Sequence, residues 1–253
     1  MPTYHFLNGD CLAEQLGQTN ISPAHCIICR ECLAEGEVLA QNLTEFWKIR
    51  AHFIAGTYLG DVEEYFRISV AEFEKLQNLP PNAEVCIWFE HDLFCQVNLW
   101  FALSLLSEKP HLKIFRVFPM QENQADEWKG FGEANTAQLL QAYAARVPFL
   151  PPDLALGKNL WQAYQRKDLP ALQSLSKQPS PCFQYLEEVC QAHIDRFPAD
   201  NSLGRPEKAL QEIMASQTKD FQEVFRVFSA REGIYGWSDL QVKRMYAQQK
   251  QAF

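Results

Sequence analysis

The chain has 253 residues, 47% of them hydrophobic and 21% charged, with a formal net charge of −8 at pH 7. That is enough apolar material for a sizeable core in one large domain or, preferably, two. The acidic balance disfavours general polyanion binding, and no run approaches the roughly 18 apolar residues that a membrane span requires. The N-terminus shows no basic flank followed by an apolar stretch, so the expected location is the cytoplasm. The eight cysteines accordingly read as reduced thiols rather than a disulfide framework.

Tyr4 to Leu7 reads as a strand that stops at Asn8-Gly9-Asp10, and Cys11 to Leu16 as a short helix with Gly17 at its C-cap. His25 to Cys29 reads as a second strand, stopped by Arg30-Glu31. Cys26, Cys29 and Cys32 have a spacing that suits soft metals. A strand, however, sends Cys26 and Cys29 to opposite faces, so buried thiols are the expected outcome. Helices follow over 43–56 and 62–76, the second opened by Asp61 with Glu64 three positions later. Pro80-Pro81 breaks the chain. Val85 to Phe89 is then a strand apolar on both faces, stopped by Glu90-His91-Asp92, and Leu93 to Leu106 is apolar nearly all round, as in a buried helix. Leu112 to Phe118 supplies a fourth strand and Thr136 to Ala145 another helix. Pro151-Pro152 reads as a hinge before helical segments around Trp161 to Leu175, at 183–197, 206–215 and 221–228, and at 238–248 with Ser238 as N-cap.

The long gaps between strands favour parallel pairing through crossovers. The expected fold is therefore α/β: a Rossmann-like three-layer domain over 1–150, with a mostly parallel sheet of four or five strands, and an all-helical region over 151–253. Asn8-Gly9-Asp10 contains a single glycine, so neither a dinucleotide fingerprint nor a P-loop is present.

Phe6-Leu-Asn-Gly-Asp10, Cys29-Arg-Glu-Cys-Leu-Ala-Glu-Gly36 and Trp88-Phe-Glu-His-Asp-Leu-Phe-Cys-Gln-Val-Asn98 resemble the hallmark segments of the domain of unknown function family number 1835. Leu203-Gly-Arg-Pro-Glu-Lys-Ala-Leu210 through Gly236-Trp-Ser-Asp-Leu-Gln241 is similar to the helical region that often follows that domain. The resemblance spans nearly the whole chain. It implies the domain layout and the choice of site residues, and it supplies no chemistry.

Open α/β sheets bind ligands at the carboxyl ends of their strands. The polar strand tips therefore nominate Asp10, Glu90, His91 and Asp92 as catalytic groups, and Asn8, Gly9, Arg30, Glu31, Glu35 and Gln96 as ligand-binding groups. Crowded carboxylates there suit acid/base work or a hard cation, of which Mg²⁺ is the expected one, acting on a small phosphorylated or nucleotide-like ligand. His91 is the candidate proton carrier near neutral pH.

Structural roles compete with each assignment. Asp10 and Asp92 precede apolar helices and suit capping, Glu31 and Glu35 suit solvent, and Arg30 suits a pair with Glu90. Gln96 and Asn98 interrupt an apolar helix and need hydrogen-bond partners, from loop backbone or from a ligand. The alternative function is a non-enzymatic regulatory or interaction protein whose tail contacts a protein. Residues 201–253 carry eight Lys/Arg against six Asp/Glu, a weak surplus for nucleic acid.

Overall fold

The computed structural model describes residues 1–121, 127–200, 202–216 and 220–252. Five strands form one sheet in the order β2-β1-β3-β4-β5. They are β1 (Thr3–Asn8), β2 (Cys26–Cys29), β3 (Glu84–Trp88), β4 (Lys113–Val117) and β5 (Val147–Pro148). The first four are parallel, with Phe6 level with both Ile27 and Ile87, and Trp88 level with Val117. The short β5 is antiparallel at the edge. It has only two residues, one of them a proline, too little for an alternating pattern to mark it.

Side-chain alternation along the strands gives the sheet two apolar faces. Leu7, Cys86, Trp88 and Val117 face α1 (Asp10–Leu16) and α6 (Thr136–Ala144). Phe6, Ile27, Val85, Ile87 and Ile114 face the opposite way, into the larger core. That side holds α2 (Leu43–Tyr58), α3 (Val62–Tyr65), α4 (Ala71–Gln77) and α5 (Leu93–Leu106). The segment expected as one helix over 62–76 is α3 and α4 joined by a π-turn, Phe66–Val70. Cys29 lies in the larger core whereas Cys26 packs against the other face, so the strand does separate the two thiols.

The helix α5 is apolar nearly all round because it is covered all round: the sheet lies on one side, and α7 (Pro151–Gln165) and α9 (Leu186–Ile194) on the others. Pro151 and Pro152, read above as a hinge, are the first turn of α7, where a missing N–H leaves no bond broken. Next come α8 (Leu169–Leu175), α10 (Arg205–Ser216), α11 (Phe221–Arg231), a 3₁₀ turn at Gly233–Tyr235, and α12 (Asp239–Ala252). Ser238 precedes α12, and its amide donates to Gln241 Oε1 at 3.0 Å. The core is continuous from Phe6 to Tyr246, joining sheet and helical region. No helix among the described residues is long and apolar enough to cross a membrane.

Candidate functional site

The strand order reverses between β1 and β3, and at such a switch point the crossovers diverge and leave a crevice at the carboxyl edge. A cleft of about 300 Å³ lies on the β1–β2 side of it, lined by Asn8, Gly9, Asp10, Arg30, Glu31 and Phe94, among others. Gly9 has φ 99° and ψ 166°, a conformation open essentially to glycine alone, and a Cβ there would point into open space. The main chain at the mouth of the cleft is therefore bare.

Asp10 does not cap α1. It is the first helical residue, Gly9 occupies the cap position, and no side chain caps the helix. The Asp10 carboxylate instead accepts from Arg30 Nη2 at 2.7 Å and Nε at 2.9 Å, bonds that hold its pKa below the ordinary aspartate value. Arg30 Nη1 donates to Ile68 O at 2.9 Å and lies 3.9 Å from Glu72. Arg30 is thus occupied by Asp10 and α4, and the expected Arg30–Glu90 pair does not form.

Glu31 and Glu35 are buried rather than solvated. Glu31 receives Arg50 Nη2 at 2.9 Å and the Tyr65 hydroxyl. Glu35 receives the Tyr58 hydroxyl and, from the last helix, Arg244. Arg50 also donates to the main-chain oxygens of Glu35 at 2.6 Å and Cys32 at 3.1 Å, so one guanidinium holds the loop after β2 in place. Arg50, Tyr58, Tyr65 and Arg244 were not among the expected site residues. The available signal was Arg50 itself, a charge on the α2 face shared with Phe46, Trp47 and Ala51.

The β3 side is built differently. Asp92 caps α5, as its position suggested, by accepting from Cys95 N at 2.9 Å. Glu90, Asp92 and Cys95 bring ligand-type atoms within 4.8 Å of one another. Glu90 Oε2 accepts from Cys95 Sγ at 3.0 Å and Asn8 Nδ2 at 3.4 Å, and Oε1 accepts from Phe131 N at 3.3 Å. Two glycines admit this crowding: a Cβ on Gly130 would collide with the Glu90 side chain, and one on Gly236 (φ 63°) with Asp92 Oδ1. Burial, and secondly Glu90, push the Asp92 carboxyl up to about 6. Burial together with Asp92 and Glu90 drives the Cys95 thiol well up, so Cys95 acts as a donor.

The amides of α5 hold this arrangement together. Gln96 Nε2 donates to Glu90 O at 2.8 Å, while Asn98 donates to Glu31 O at 2.8 Å and accepts from Leu33 N at 3.2 Å. Loop backbone is therefore what these amides bond. Asn98 Nδ2 also lies 3.4 Å from Asn8 Oδ1, which orients the Asn8 amide group toward Glu90. His91 departs from its expected role. It is 1% exposed and stacked on Phe118 at 5.4 Å, and burial followed by Arg116 pushes its pKa down to about 3. A ring held neutral in that way does not exchange protons near pH 7.

The tail turns inward. Arg244 pairs with Glu35, while Lys243 and Lys250 lie over the rings of Phe221 and Tyr246 at 5.9 and 4.9 Å. Comparison with family models, curated proteins and solved structures finds no match.

Proposed function

We propose that this chain is a cytoplasmic small-molecule-binding protein of the family it resembles, and that a nucleotide-like ligand occupies the crevice at the β1–β3 switch point. Its eight free thiols suit a reducing compartment. Phe94 offers the cleft an apolar wall for a ring, the bare main chain at Gly9 admits close approach, and the groups that hydrogen-bond the ligand are Asn8, which lines the cleft, and Glu90, which lies behind it at 3.4 Å from the Asn8 amide. The observation that carries this reading is that the side chain of Glu90, only partly buried, has neutral partners alone among the described residues: an amide, a thiol and a main-chain N–H. Ribose hydroxyls or an exocyclic amine would complete its shell.

Asp92 is the group best suited to proton transfer beside such a ligand, because its raised pKa lies near physiological pH. Mg²⁺ assistance is not part of this reading. Asp10, Glu31 and Glu35 are paired with guanidinium groups. The one convergent set among the described residues contains a thiol, which suits a softer ion than Mg²⁺.

Thermal-shift titration with nucleosides and nucleotides tests the proposal on the parent and on Glu90→Gln. A saturable stabilisation of the parent that is lost in a folded Glu90→Gln variant is expected. No response from the parent, or an equal response from the variant, would refute it.

A further inference from the structure

Arg116, in the middle of β4, is used by none of the contacts described above. Its side chain is fully buried, yet among the described residues its one hydrogen bond runs from Nη2 to Glu90 O at 3.2 Å. Nε and Nη1 meet no acceptor among the described residues. Neither ring nitrogen of His91, at 1% exposure, has a partner there, and neither does Gln96 Oε1, at 2%. Buried polar atoms are nearly always satisfied, so three open groups together call for a common explanation.

They share one neighbourhood. Arg116 and Gln96 both donate to Glu90 O, and His91 is the next residue in the chain. The Arg116 guanidinium and the His91 ring both lie against Phe118, at 5.0 and 5.4 Å. Tyr185 meets the His91 ring edge-on at 5.2 Å and has φ 57°. A non-glycine residue held in that conformation is a feature of ligand clamps.

We propose that these groups form an oxyanion site, in which a carboxylate or phosphate takes charge-assisted hydrogen bonds from the open Arg116 donors and a further one from a His91 ring N–H. Arginine offers donors alone, which selects an anion over a cation. Gln96 Oε1, the single acceptor of the set, receives the hydroxyl of a monohydrogen phosphate or, beside a carboxylate, a hydroxyl carried elsewhere on the ligand. The Glu90 and Asp92 side chains are directed elsewhere, to Asn8, Phe131 N and Cys95. Neither the Glu90 carboxylate nor the Asn8 amide is required for anion binding.

Titration of the full chain with inorganic phosphate and, separately, acetate, at constant ionic strength set with chloride, tests the site by thermal shift. Saturable stabilisation of the parent is expected, and the more effective anion identifies the source of the charge. His91→Phe keeps the stacking ring and should weaken the response about tenfold, the loss of one hydrogen bond to a charged group. Arg116→Met, where it folds, should abolish it. Glu90→Gln should retain it, which separates this site from the nucleotide-like ligand proposed above. No saturable response from the parent to either anion, or a response unchanged in His91→Phe, would overturn the proposal.

Discussion

On the β2 side of the sheet's carboxyl edge each predicted acid meets a guanidinium: Asp10 meets Arg30, Glu31 meets Arg50 and Glu35 meets Arg244. On the β3 side Glu90 and Asp92 have no basic partner within bonding distance among the described residues, and are held by Asn8, Cys95 and main-chain amides. Both sides look alike in sequence, as short acidic stops after apolar runs. The difference is that neutralised acids fix the loop after β2 and dock α12, whereas the crowded acids are held by neutral donors alone among the described residues. Burial, and after it the neighbouring Glu90, raise the Asp92 pKa, and two glycines make room for the crowded side chains.

The paired side should show the largest effect on stability. Arg50→Ala leaves Glu31 buried without its counter-charge and should cost about 3–5 kcal/mol in urea denaturation. Arg50→Met combined with Glu31→Gln should recover most of that loss, because no buried charge is then left uncompensated. A single-variant cost under about 1 kcal/mol would mean that the pair does not hold the loop.

Gly236→Ala probes the crowded side through the turn that leans on Asp92. It adds a Cβ to a left-handed backbone position and drives that atom into Oδ1, so about 2–3 kcal/mol should be lost, read as a lowered urea midpoint. An equal midpoint would show that Asp92 has room to move.

The crowded side should also have a pH signature. Asp92 has a folded pKa raised from 3.8 to about 6, so its contribution to stability is fully present below about pH 4 and is lost as pH rises through about 6. His91 and His193, pushed down to about 3, act in the opposite sense: their contribution is present above about 6.5 and is lost as pH falls. Asp92→Asn keeps a side-chain oxygen for the Cys95 amide, and comparing it with the parent cancels the histidines. The two should be equally stable near pH 4, with the variant ahead by on the order of 2 kcal/mol at pH 7. A constant difference across that range would place Asp92 in an ordinary environment.

The smallest stability effect belongs to Asp10→Asn. Its pair with Arg30 is 57% and 26% exposed, and its loss should cost less than about 1 kcal/mol.

The layers of this fold were legible because hydrophobic periodicity reports burial directly: four strands follow from Tyr4 to Leu7, His25 to Cys29, Val85 to Phe89 and Leu112 to Phe118, and the nearly all-apolar α5 from Leu93 to Leu106. The convergence of Asn8 and Glu90 was legible as well, since parallel strands bring their carboxyl ends to one edge. Pairing was not. Arg30 reaches Asp10 instead of Glu90, and Glu35 finds Arg244 from 209 positions away, because such contacts depend on how the tail folds back. Capping was half legible: Asp92 caps, whereas Asp10 is already the first helical residue, with Gly9 at the cap position, and its carboxylate goes to Arg30. Arg50 and Arg116 were visible as charges on otherwise apolar faces of α2 and β4, but their burial alone does not reveal what they face.

The difference between the two sides is most directly tested by isothermal calorimetry with one nucleoside or nucleotide, chosen by thermal shift, against the parent, Asp10→Asn and Glu90→Gln. Affinity should fall about tenfold or more in Glu90→Gln and change less than about threefold in Asp10→Asn, with both variants folded. Loss of affinity in Asp10→Asn with binding intact in Glu90→Gln would contradict the assignment and move the ligand to the paired side.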